Sequence, residues 1–155
     1  MSTTTTPTTL PVTSTTSSTG THVVTTVEEA EAVLRELIYR RLLGIYNEDR
    51  RGLAEIAASQ AALDSAVEAF GQIRFLTEPF PEGVQLSNAE MIRGDQACLA
   101  IWAEVDVSAF QGEGAVSSAV VVLRNVDGSW RWASVWQHRE DLWEADCDAQ
   151  LEPLS

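Results

Sequence analysis

His138, Glu104 and Asp106 are the side chains of this sequence whose types could move protons. An imidazole titrates near neutrality and serves as a general base when a reacting group lies within hydrogen-bond reach. Glu104 and Asp106 are two residues apart, so on a strand they share one face with Trp102 at about 7 Å separation. That spacing suits a carboxylate pair working on one substrate, and it equally suits two solvated groups on a strand. Around them stand indoles. Trp102, Trp132 and Trp136, with Ser117 and Ser134, could wall an apolar ligand pocket, and Tyr39 or Tyr46 could bring a hydroxyl to its rim. For each indole the alternative is plain core packing, since large aromatic rings carry much of the buried area in a small domain. No acid that would orient His138 can be assigned, which leaves a locally hydrogen-bonded or solvated histidine as the competing reading. The patterns GxSxG, HExxH and Walker A are absent, and Gly112-Glu113-Gly114 is too short to cradle a phosphate. Neither cysteine belongs to a CxxC or has a histidine nearby, so no metal site and no cofactor are expected.

The elements that must hold these groups fall into two halves. Thr26 followed by Glu29 has the form of a capping box, and Ala30, Val33, Leu34, Leu37, Ile38, Leu42 and Ile45 recur at helical spacing. A first helix should therefore run to about Tyr46. After the polar break 47–52 a short helix is expected over 53–58. A third carries Leu63, Val67 and Phe70 and stops at Gly71. Residues 73–76 could form a short strand, and the two prolines of 78–83 mark a connection. Beyond Gly83 the period becomes two. Strands are expected over 84–92, 96–107, 115–126 and 129–138, the last two joined by an Asp127-Gly128 hairpin turn. Helices first and a meander after give an α+β domain.

Counting back from that turn places Leu123 opposite Trp132, Val121 opposite Ser134, Ala119 opposite Trp136 and Ser117 opposite His138, all on one apolar face. The other face pairs Arg124 with Arg131, a like-charge pair that should look outward. Its remaining residues, Val120, Val122, Ala133 and Val135, are apolar, which suggests a homodimer through the sheet.

The chain has 155 residues and a formal charge of -13, all of it after residue 27. So acidic a surface argues against nucleic acid and against anionic lipid as partners. No apolar run is long enough to span a bilayer, so direct membrane insertion is not expected. Residues 1–26 are largely Thr and Ser without a charge, a composition that cannot bury enough apolar surface to fold. They read as a stalk holding an extracytoplasmic domain (27–148) away from an anchor or signal upstream of Met1. If Met1 is the natural start they are a flexible cytoplasmic leader. A bridge between Cys98 and Cys147 would close a loop of about 50 residues, worth roughly 3 to 4 kcal/mol; two reduced, buried cysteines are the alternative. The acidic stretch Glu140, Asp141, Glu144, Asp146 and Asp148 reads as a solvated extension whose Trp143 packs back on the domain, followed by a tail at 149–155.

The segments 42–49 with 53–56, and Val121 through Trp132, resemble the nuclear-transport-factor-2-like superfamily, which includes ketosteroid isomerases, polyketide cyclases, scytalone dehydratases and many binding domains. The resemblance spans about residues 27 to 145. It implies a cone: a strongly curved antiparallel sheet wrapped around the long helix, with a pocket at the open end. It does not imply a reaction, because the fold hosts many functions. Where isomerases of this group place a helix tyrosine, this chain has Leu42. Where they place an acid in the penultimate long strand, residues 115–126 contain neither Asp nor Glu. The expectation is a non-catalytic domain for a small apolar molecule or a protein partner. The alternative is a cofactor-free acid/base enzyme of isomerase, cyclase or dehydratase type, using His138 with Glu104 or Asp106.

Overall fold

The structure is a computed structural model that describes residues 26–137 and 142–154. The expectations for the Thr/Ser-rich tail, for His138 and for Glu140 and Asp141 lie outside the described residues.

Helix α1, Val27–Tyr46, begins with the capping box: Glu29 N–H donates to Thr26 Oγ1 at 3.1 Å and Thr26 N–H donates to Glu29 Oε1 at 3.2 Å. Its stripe of Ala30, Leu34, Leu37, Ile38, Leu42 and Ile45 is buried. Helix α2, Arg50–Ile56, starts where Asp49 Oδ1 accepts from Gly52 N–H at 3.0 Å. Helix α3, Gln60–Glu68, starts where Ser59 Oγ accepts from Ala62 N–H at 3.2 Å. α2 lies tight on α1 because position 44 is glycine; a Cβ there would stand 2.7 Å from Leu53 Cγ. Residues 73–76 form no strand. Leu76 N–H instead donates to Phe110 O at 2.8 Å, and one 3-10 turn, Pro81–Gly83, leads into the sheet.

The sheet has four strands, β1 (Gln85–Gly94), β2 (Cys98–Asp106), β3 (Val116–Val126) and β4 (Ser129–Trp136), paired antiparallel in the order 1-2-3-4. It is an open meander with β1 and β4 at its edges. A one-turn helix, α4 (Ser108–Gln111), joins β2 to β3 and drives Phe110 into the core. The β3–β4 turn has Asp127 and Gly128 at φ 54° and 89°, the positive values that a two-residue hairpin of this hand requires. From it the pairing runs as counted, Val126 with Ser129, Arg124 with Arg131, Leu123 with Trp132. Then it slips. Val122 pairs with Ser134 and Val120 with Trp136, leaving Ala133 as one extra residue on β4. Val121 and Ala119 are therefore not opposite Ser134 and Trp136 as the simple count had it, and those two β4 residues change sides relative to Trp132.

Two apolar layers result. One lies between the sheet and α1–α3 and holds Leu34, Leu99, Ile101, Phe110, Val121 and Leu123 with Trp132. The second covers the opposite face, where Cys98, Ala100, Val120 and Val122 pack against Trp143 and Cys147 of helix α5, Leu142–Asp148. Cys98 and Cys147 form a disulfide with their Cα atoms 5.5 Å apart. Arg124 Nη1 donates to Asp146 O at 2.7 Å and Ala149 O at 2.9 Å, holding carbonyls at the end of α5. Two expectations meet here. Of the apolar residues expected to face outward, Val120 and Val122 are covered by the chain's own α5, while Val135 is 43% exposed. In the acidic extension Trp143 packs back on the domain as expected and Glu144 and Asp148 are exposed, but the stretch is a docked helix, and the chain beyond it returns to α3: Gln60 N–H donates to Glu152 O at 3.2 Å and Leu154 packs on the core. None of the described helices is long and apolar enough to cross a membrane.

Candidate functional site

Under the far half of β4 the layers part around a pocket of about 580 Å³. α1 supplies Ile38, Arg41 and Leu42, β3 supplies Ser117, Ala119 and Val121, and β4 supplies the run from Trp132 to Trp136. Val105 and Val107, the exposed Ser65 of α3 and Asp146 of α5 complete the lining. The α2–α3 connection fixes the wall. Ala58 N–H donates to Trp132 O at 2.8 Å, and Ala57 bridges Trp132 in parallel, so the β4 edge is pinned at the pocket's entrance to the core.

Among the described residues two charged groups line this pocket. Asp146 is engaged: its Oδ2 accepts from Ser134 Oγ at 2.7 Å and from Trp136 Nε1 at 2.5 Å. The slip at Ala133 makes this possible, because it turns Ser134 and Trp136 to the side on which α5 lies. Arg41 stands differently. Its guanidinium carbon lies 5.0 Å from the centre of the Trp132 ring, a cation–π contact. Its Nε is buried without a hydrogen-bond partner, and among the described residues no carboxylate pairs with it. Burial pushes its pKa below the ordinary arginine value. Among the described residues no carboxylate comes within ion-pair distance to offset that burial.

Of the residues singled out in the sequence, Trp132, Trp136, Ser117 and Ser134 come together around the pocket. Trp102 does not. It shares the α5 side of the sheet with Ala100 and packs against that second layer. Tyr39 packs on the main core, and Tyr46, 42% exposed, meets Phe75 edge-on with ring centres 5.4 Å apart. Glu104 and Asp106 alternate with Val105 and Val107; since the valines face the pocket, the carboxylates fall on the other side. Glu104 accepts from Ser87 Oγ at 3.2 Å. Asp106 accepts from Ser108 Oγ at 2.6 Å and Ser108 N–H at 2.9 Å, bonds that hold its carboxyl below the usual range and fix the entry to α4. The paired-carboxylate expectation is thus corrected by strand parity. Arg41 was missed, although it stands seven residues after Leu34 and three after Ile38, in line with the buried stripe of α1. A charge in an apolar stripe was the available signal.

Comparison with protein-family models, with curated proteins and with solved structures finds no match for this chain.

Proposed function

We propose that this domain binds a small, largely apolar molecule in the pocket beneath β4 and does no chemistry on it. The carrying observation is the pocket itself, about 580 Å³ and walled by valines, leucine and indole with a few polar groups at its margins. That size and lining are those of a small-molecule site. The acid/base alternative is less well supported, because Glu104 and Asp106, the carboxylates it needs, alternate away from the pocket-facing Val105 and Val107. In this reading the domain is a binding member of the cone-shaped group that the sequence resembles. The pairing irregularities in β1 and at Ala133 favour a bent sheet. An extracytoplasmic setting fits the disulfide, which persists in oxidising compartments. A Thr/Ser-rich stalk would then display the pocket away from an anchor.

The test is a fluorescence titration with the neutral probe N-phenyl-1-naphthylamine. The native protein should bind it saturably at one site, and Ser65→Trp, which puts an indole at the rim, should weaken that binding at least tenfold while the fold, read by circular dichroism, is kept. Absence of saturable binding overturns the proposal.

A further inference from the structure

A half-buried arginine lining a pocket with no carboxylate of the described residues at ion-pair distance is an arrangement that folding alone does not favour. Taking a cation out of water is costly unless an anion or a set of acceptors replaces the lost hydration. The chain has 23 carboxylates against ten arginines, so partners for Arg41 were abundant in composition. Two other arginines use them, Arg93 with Asp95 at 2.7 Å and Asp148 at 3.2 Å and Arg40 with Glu55 at 3.6 Å, while Arg124 and Arg131, like Arg41, keep a buried Nε without a hydrogen-bond partner; of these three Arg41 is the one that lines the pocket. Arg41, one residue from Arg40, turns inward on α1 and, among the described residues, meets the Trp132 ring and keeps an unpaired Nε. Asp146 shares the pocket but is bound by Ser134 and Trp136 and does not come within ion-pair distance of the guanidinium. The guanidinium carbon lies 5.0 Å from the Trp132 ring centre, and the group also lines the pocket, where a ligand can reach it. A planar fork of donors matches a carboxylate or a sulfonate.

We infer that the molecule this pocket receives carries a single anionic group, of the carboxylate or sulfonate class, which sits on the Arg41 guanidinium while its apolar body lies against Ala119, Val121 and Trp132. The inference rests on the pocket being a ligand site, as proposed above, and names the class of ligand. An apolar wall alone would accept neutral and anionic molecules without distinction; Arg41 makes the difference between them. The overall charge of -13 repels anions, so any preference for one arises locally and not from the general field.

The experiment compares two probes with the same ring system, neutral N-phenyl-1-naphthylamine and its sulfonate, 8-anilinonaphthalene-1-sulfonate, on the folded protein. Charge-assisted hydrogen bonding from Arg41 predicts that the sulfonate binds roughly ten- to a hundredfold more tightly. In Arg41→Met the ratio of the two affinities should fall to about one. In Arg41→Lys, which keeps the charge and loses the fork, it should be intermediate. Equal affinities in the native protein, or a preference for the neutral probe, overturn the anion assignment and leave the pocket reading standing. Binding of neither probe overturns both. Should Arg41→Met fail to fold, the native ratio and Arg41→Lys decide: an unchanged ratio in the lysine variant also counts against the guanidinium fork.

Discussion

Replacing Cys98 and Cys147 together by alanine should cost the domain about 4 kcal/mol at 25 °C. The two residues are separated by 49 positions and are 0% and 2% exposed. Loop-closure entropy for a ring of that length gives about 4 kcal/mol of denatured-state restriction. Native-state losses add little, because alanine keeps the apolar character of both positions. α5 retains Trp143 against the sheet, the two Arg124 bonds to its last carbonyls and the Asp146 bonds to Ser134 and Trp136. The double variant should therefore fold with α5 docked and unfold earlier. For a domain of this size the melting temperature should fall by roughly 12 to 20 °C. Urea unfolding followed by tryptophan fluorescence measures the change directly, alongside the native protein with and without reductant. A difference under about 1 kcal/mol would refute the reasoning, since it would mean that the covalent tie constrains neither state. A collapse of the native near-ultraviolet spectrum would refute it differently, by showing that α5 docks only through the bond.

Arg41→Met should stabilise the ligand-free domain by about 1 kcal/mol, because relief of an unmet buried donor, roughly 1–3 kcal/mol, exceeds the loss of a cation–π contact of roughly 0.5–2 kcal/mol; a destabilised variant in chemical denaturation would contradict this. Gly44→Ala should cost about 1–2 kcal/mol, since a clash at 2.7 Å with Leu53 outweighs the better helix propensity of alanine, and thermal melting reads it. Asp106 should titrate below an ordinary aspartate, as its bonds from Ser108 favour the ionised form. Its folded pKa lies below the unfolded one, so the associated stabilisation is full above the unfolded value and is lost as pH falls through the folded value. Carboxyl-carbon NMR that places Asp106 at or above the usual range would contradict the assignment.

The parts of this fold that were legible are those decided by neighbours in sequence. Thr26 and Glu29 fixed the start of α1, its apolar spacing fixed the buried side, and Asp127-Gly128 fixed the hairpin and the first pairs of β3 with β4. What escaped depends on distant packing. In Trp132-Ala133-Ser134-Val135-Trp136 each residue suits either face, so nothing in the pattern marks Ala133 as the extra one, and an unbroken count carried Trp136 to the wrong side. α5 escaped because Leu142–Asp148 is short and acidic, and its docking depends on Cys98 and Arg124, far away in sequence. For the site, four of the seven expected wall residues line the pocket. Trp102 fails by strand parity, and Tyr39 and Tyr46 fail because α1 turns Arg41 to the pocket in their place.

The single surplus residue in β4 lets one strand serve both layers of the domain. Trp132 leans toward the cavity and Trp136 toward the outer helix, four positions apart on one ribbon. The second ring is fastened through Asp146 to α5, and α5 is tied by the Cys98–Cys147 bridge to β2. The inner layer and the outer helix are thus joined through one short stretch of β4.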